Sequence, residues 1–166
     1  MNKPFRTCGI DPGLGVTGYA VLDAAEFGMV VVDAGVCRTD ESLDLPTRLA
    51  QLERDVSSLL EEHKPDVLAV EKLYAHYKHP RTAIIMGHAR GVILCAAGRR
   101  GIEVAELPAT HVKKHLTGNG HASKERVQRA VQLTLGLSDI PEPPDVADAL
   151  AIALCGAAGH CGERIA

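Results

Sequence analysis

R-T-C-G-I-D-P-G-L-G-V-T-G-Y-A-V-L, residues 6–22, sets the frame of the chain. Its first part, Arg6–Asp11, is a short apolar run that ends on an acid and meets Pro12-Gly13 at once, which predicts a strand closing in a turn. The next run, 16–23, and a third, 29–37, are rich in Val, Thr and Tyr and predict two further strands. So little chain separates the three that no helix fits between them, and they are expected to form an antiparallel meander.

Outward from that meander the pattern changes period. Leu45–His63 places Leu45, Leu49, Leu52, Val56, Leu59 and Leu60 at helical spacing, and Lys64-Pro65-Asp66 ends the run. Residues 66–70 (D-V-L-A-V) predict a short buried strand closed by Glu71, and the polar stretch 72–80 predicts a loop. A helix is expected at 82–100, a strand at 102–107, a short helix at 108–116, and a flexible turn at 117–122 (T-G-N-G-H-A). Residues 123–135 read as a helix with Ser123 as its N-cap. The Pro-containing stretch 138–144 leads into a last helix, 145–158. With the short helix 108–116 as a minor element, the order is β-β-β-α-β-α-β-α-α. Strand–helix–strand units after a meander require parallel pairing with right-handed crossovers. The expectation is a single α/β domain over 1–166, a mixed five-stranded sheet with helices on both faces: the ribonuclease-H-like arrangement.

Bulk properties bound the function. The chain has 166 residues, enough for one domain with a real core, and 46% are hydrophobic, but only 3% are aromatic and Trp is absent. Val, Leu, Ile and Ala must therefore build the interior. No run has the roughly 20 apolar residues a membrane span needs, and no signal peptide precedes the first strand, so a cytoplasmic protein with no membrane partner is expected. Five scattered cysteines without a C-x-x-C pair read as reduced thiols. Cys155, His160 and Cys161 lack a fourth ligand at a zinc-site spacing. The formal net charge is −3, yet residues 72–130 hold eleven basic residues against three acidic ones, a net of +8 that leaves −11 for the rest. A basic middle between acidic ends suits a nucleic-acid surface beside a cluster of metal-binding carboxylates.

Four acids stand out. Sites in open α/β sheets lie beyond the carboxyl ends of parallel strands, and Asp11 and Glu71 each close a buried apolar strand. Asp145 and Asp148, in D-V-A-D, are spaced i, i+3 and share one face of a helix whose following residues are apolar. Each acid also has an ordinary structural alternative: Asp11 in a turn, Asp145 as an N-cap, Asp148 favoured by the helix dipole, Glu71 in an ion pair. Together they suggest hard oxygen ligands for Mg²⁺ or Mn²⁺. Two such ions about 3.5–4 Å apart can clamp the attacking and leaving oxygens of a phosphoryl transfer.

Taken in order, the motifs resemble the RuvC-type Holliday-junction resolvases. G-I-D-P-G-L-G-V-T-G-Y-A-V-L (9–22), A-V-E-K-L-Y (69–74), A-R-G-V (89–92), H-V-K-K (111–114), S-K (123–124) and D-V-A-D-A-L-A-I-A (145–153) are similar to that family's motifs over nearly the whole chain. The resemblance implies a homodimer that resolves four-way junction DNA by two symmetric nicks, leaving 5′-phosphate and 3′-hydroxyl ends, in recombination and DNA repair. It implies Mg²⁺, with Mn²⁺ able to substitute, and a branch-migration helicase assembly as partner. Asp11, Glu71, Asp145 and Asp148 match the family's acidic ligands, although some relatives have His where Asp145 stands. Tyr74 matches an aromatic at the junction centre, with Tyr77 a nearby competitor. Lys113 and Lys124 match lysines that hold phosphate, and Lys114 competes with Lys113. His76, His79, His111, His115 and His121 are given no chemistry. Part of the helix at 82–100, through Ile84, Ile85, Gly87, His88, Gly91, Val92 and Cys95, is expected to be exposed and to supply a two-fold contact.

Three other readings compete. D-P-G-x-G-x-T-G is similar to a phosphate loop of actin-like ATPases and sugar kinases, which need a second domain. RuvC-like nucleases that process ribosomal RNA precursors are shorter. A non-catalytic junction-binding module would set four carboxylates against phosphate without reason.

Overall fold

Alternating apolar residues make the meander, and turn residues bound it. In the computed structural model, which describes residues 3–74 and 80–164, β1 (Arg6–Asp11), β2 (Val16–Ala25) and β3 (Gly28–Arg38) pair antiparallel in sequence. The β2–β3 hairpin turns at Glu26-Phe27 and re-enters at Gly28, whose φ of +127° suits a residue without a side chain. α1 (Leu45–His63) starts on Asp44, whose side chain accepts from the Thr47 amide, and stops where Lys64 turns left-handed. β4 (Val67–Glu71) then runs parallel to β1, and β5 (Glu103–Leu107) parallel to β4. The sheet order is β3-β2-β1-β4-β5, so the mixed five-stranded sheet expected from the sequence is present.

Helices cover both faces. α1 and α2 (Pro80–Arg99) pack on one, burying Leu52, Val56, Leu60 and Ile93 against Cys8, Ile10, Val21 and Leu68. α3 (Ala109–Thr117), α4 (Lys124–Leu135) and α5 (Pro144–Arg164) pack on the other, with Leu150 and Ile152 almost fully buried. Each such side chain is worth about 1.5–3 kcal/mol of apolar burial. No helix among the described residues is long and apolar enough to cross a membrane.

The structure corrects the sequence reading in three places. The short helix expected at 108–116 is present as α3, so three helices follow β5 where the expected order counts two. The last helix continues to Arg164. On α2, Ile84, Gly87, His88, Gly91 and Cys95 are exposed as expected, but Ile85 and Val92 are half-buried against the core beneath α1 and α2. Those two lie at the flank of the exposed stripe, where the rotation of the helix decides. His76, Tyr77 and His79 lie outside the described residues, as does most of the expected loop at 72–80.

Candidate active site

Parallel register brings the first two acids together. Ile10 pairs with Val70 across β1 and β4, so Asp11 and Glu71, one residue further on, emerge side by side at the carboxyl edge of the sheet. The other two arrive on α5, which lies directly on the strands because glycines clear its path. A Cβ on Gly18 would stand 2.1 Å from the Asp145 carbonyl oxygen, and one on Gly9 would stand 2.4 Å from that of Ala149. Gly18 is the register partner of Asp11. The first turn of α5 is therefore pressed over the end of β1, and its acids with it. Asp145 stands in that turn, after Pro144, rather than ahead of the helix as a cap.

The electrostatics follow from this crowding. Burial pushes the Asp11 carboxyl up to about 7, and the negative charges of Asp148, Glu71 and Asp145 add to the effect, while Lys124 opposes it. Burial also raises Glu71, with Asp148 adding to the rise and Lys113 opposing it. Three of the acids, Asp11, Glu71 and Asp148, line one cleft of about 290 Å³ together with Lys113 and Lys124. Asp145 is half-buried and flanks the cleft without lining it. The apolar wall is Val112, Val127, Ala151 and Ile152.

The lysines separate cleanly. Lys124 follows the Ser123 cap of α4 and sets its Nζ 2.7 Å from Asp148 Oδ2, and that hydrogen bond is the main reason its pKa is raised. Lys113 faces the cleft; Lys114, one residue and about 100° further round α3, opens instead onto a separate surface groove with His111, His115 and His121. Tyr74, 61% exposed, stands at a neighbouring cavity of about 660 Å³ that also reaches Glu71 and is floored by Leu73, Met86 and Leu94.

This set fits a divalent cation by its chemistry. All the donors are hard carboxylate oxygens, and Asp11 is buried among like charges with too little positive charge to offset them. As the side chains stand, no three His, Cys, Asp or Glu among the described residues surround a common ion position. Lys124 supplies the positive charge on Asp148 instead. The discounted zinc reading is left with Cys155 and His160, since the side chain of Cys161 lies outside the described residues; His160 Nε2 meets Glu103 at 3.0 Å.

Sequence reasoning passed over one residue at this edge. Arg90, on the inner side of α2, donates from Nε to the Glu71 carbonyl oxygen at 3.1 Å and from Nη2 to Glu106. The traces in the sequence are the A-R-G-V motif at 89–92 and a basic residue set between the core positions Ala89 and Ile93.

The family model for crossover junction endodeoxyribonuclease RuvC matches residues 7–156. A crossover junction endodeoxyribonuclease RuvC of Rhodopirellula baltica is 49% identical, covering 89% of this chain and 83% of that one. One from Thermosipho melanesiensis is 42% identical, covering 91% and 96%. Among solved structures, Thermus thermophilus RuvC in complex with a Holliday junction substrate superposes with a TM-score of 0.88 at 32% identity, covering 95% of this chain and 96% of that one. A yeast mitochondrial Holliday junction resolvase, at 15% identity and a TM-score of 0.65, shares the fold.

Proposed function

The chain belongs to the crossover junction endodeoxyribonuclease RuvC family, and from that premise we propose that its ribonuclease-H-like domain resolves four-way DNA junctions at the cleft of Asp11, Glu71 and Asp148. The observation that carries this reading is the convergence of three strand- and helix-borne carboxylates with two lysines in one cleft. Asp11, Glu71 and Asp148 would hold the divalent cation, with Asp145 completing the acidic set from the flank. Mg²⁺, as two ions per site and with Mn²⁺ as a substitute, would supply the acidity that activates water and the charge that stabilises the leaving 3′ oxygen.

The chain's own residues supply the rest. Asp11, its carboxyl pushed up to about 7, is protonated in an appreciable share of molecules near neutral pH while no cation is present, and positive charge entering the cleft would drive that proton off. Lys113 and Lys124 place two ammonium groups where a phosphodiester crossing the acids would pass. Each such contact steepens the salt dependence of binding by about one unit in the log–log slope. Lys124 then exchanges Asp148 for phosphate. Tyr74, beside Glu71, offers an exposed ring for an unpaired base near the junction centre, worth about 1–3 kcal/mol of stacking. Lys114 belongs to the outer groove and contributes to a flanking arm. Two copies related by a two-fold axis would make two symmetric nicks, leaving 5′-phosphate and 3′-hydroxyl ends. A branch-migration helicase assembly is the expected partner, and the cytoplasm the expected compartment.

The test is to incubate the protein with a synthetic four-way junction, the matching linear duplex and a single strand, with Mg²⁺ or with Mn²⁺, beside Asp11→Asn. Paired, ligatable nicks in the junction alone, lost in Asp11→Asn while junction binding persists, are expected. Binding without cutting in either metal would make the chain a junction-binding module. Cutting of single-stranded RNA would move it to the RNA-processing relatives.

A further inference from the structure

The stretch A-R-G-V at 89–92 carries an arginine to which the cleavage reading gives no task. Arg90 is enclosed: its side chain is only 15% exposed, and two of its nitrogens are already engaged. Nε donates to the main-chain carbonyl of Glu71 at 3.1 Å, and Nη2 pairs closely with the Glu106 carboxylate. One planar guanidinium thus joins three elements, α2, the end of β4 and β5.

The Glu71 carbonyl needs such a partner. The β1–β4 ladder ends at Ile10 and Val70, one residue short of it. On the other side, Glu71 pairs in register with Leu107, and the amide of Lys72 donates to the Leu107 carbonyl at 2.9 Å. β5 therefore secures one side of this strand end, and beyond β1 the other side depends on Arg90. A strand terminus with a loose carbonyl can twist about its last residue, and the side chain that twists with it here is the Glu71 carboxylate. A lysine could not replace the arginine, because a single ammonium lacks the rigid fork that reaches two acceptors at once.

We infer that Arg90 is a positioning residue that fixes the backbone of Glu71, and through it the carboxylate, in the geometry that receives a divalent cation. The inference rests on the reading of Glu71 as a cation ligand. Arg90 meets Glu71 at its main-chain carbonyl and not at its carboxylate, so it acts on the candidate cation site through the backbone. It belongs to the class of outer groups whose loss costs about 10–100-fold in metal affinity or activity.

The experiment measures Mn²⁺ binding to the DNA-free protein by electron paramagnetic resonance, together with junction affinity in Ca²⁺, junction cleavage and thermal stability. It compares wild type, Arg90→Gln, Arg90→Lys, Glu106→Gln and Asp11→Asn. Arg90→Gln and Arg90→Lys are both expected to weaken Mn²⁺ binding and slow cleavage by about 10-fold or more, with junction affinity held within about two-fold. Glu106→Gln, which leaves the bond to the Glu71 carbonyl in place, should stay within about three-fold of wild type in both. A folded Arg90→Lys with wild-type Mn²⁺ affinity, while Asp11→Asn loses it, overturns the role of Arg90. Arg90 variants that lose junction affinity as far as they lose cleavage overturn it too, and make the arginine a DNA contact. If Asp11→Asn binds Mn²⁺ as wild type does, the cation site itself falls. If Arg90→Gln does not fold, Arg90→Lys decides alone.

Discussion

Two helices of similar length and composition, α5 and α2, meet the sheet in opposite ways. Both are long, rich in alanine and interrupted by glycine. Along α5 as far as Ala157 the small residues mark contact: a Cβ on Gly156 would stand 2.5 Å from the Ala69 Cβ, and the strand glycines Gly9 and Gly18 face the helix backbone more closely still, while Gly159, beyond the buried stretch, is open. Along α2, Gly87, Gly91 and Gly98 look into open space. α5 is buried almost without a break from Val146 to Leu154, apart from half-buried Asp148, whereas α2 buries only Ala89, Ile93, Ala96 and Ala97. The same residue types therefore mean closeness in one helix and an uncovered face in the other. Asp145 and Asp148 sit on the helix that is held tightly.

That difference predicts the largest effect. Valine suits a strand by its backbone preference, so Gly18→Val should fail only through the helix above it. Its side chain would collide with the Asp145 backbone, which cannot swing aside as a flexible side chain could. Gly9→Val would lift α5 at Ala149 and Ala153 in the same way. Either change is expected to cost about 3 kcal/mol or more in stability. Junction cleavage should fall by about 100-fold or more as the reacting geometry is lost. Chemical denaturation and a cleavage time course would check this. Wild-type cleavage by Gly18→Val would mean that the acids do not depend on the close seating of α5.

The sequence made the strand-borne half of the site legible and left the packing half dark. Asp11 and Glu71 could be read because an acid directly after a buried apolar run is unusual, and parallel pairing puts two such ends together. Asp145 and Asp148 could be placed on one helix face, but not at their depth: Asp148 lines the cleft and Asp145 flanks it. That depth is set by Gly9 and Gly18, whose partners lie more than a hundred residues away. Only the motif match favoured Lys113 over Lys114; the physical reason, the rotation of α3, needs the fold. The inward turn of Ile85 and Val92 had the same cause on α2. Arg90 could be read as a basic residue of the A-R-G-V motif, but its tie to Glu71 could not, because the acceptor there is a carbonyl group, which every residue possesses.

A second, smaller effect separates the crowded site from the rest of the molecule by pH. Asp11 holds its proton up to about pH 7 in the folded chain, against an ordinary value of 3.8. The folded state therefore binds this proton more tightly than the unfolded state does. The resulting stabilisation is complete below about pH 4 and is lost as the pH rises from there to about 7. A shift of this size corresponds to at most about 4 kcal/mol. Asp11→Asn should thus match wild type in cation-free melting near pH 4. It should melt higher above pH 7, by at most about 8–16 °C for a chain of this length. Mg²⁺ should close the gap by stabilising wild type alone. A difference in melting temperature that does not vary with pH would remove the cause assigned here to the Asp11 shift.

The smallest effect asks what covers α2. Among the described residues nothing outside the helix's own backbone lies within 4 Å of a Cβ added to Gly91, and the residue is mid-helix on the exposed stripe with Ile84, His88 and Cys95. By helix propensity alone, Gly91→Ala should stabilise the isolated chain by about 0.5–1 kcal/mol. If this face is the two-fold contact of the proposed homodimer, the added methyl instead meets the partner helix, because small residues are what let helix backbones approach. Sedimentation across a dilution series, read beside melting curves, distinguishes the two. The expected outcome is a weaker dimer formed by a slightly more stable subunit. None of the described residues of the same chain meets that position, so such a loss would place a second copy on α2. Unchanged association would move the two-fold axis to another face and leave the glycines of α2 as plain surface.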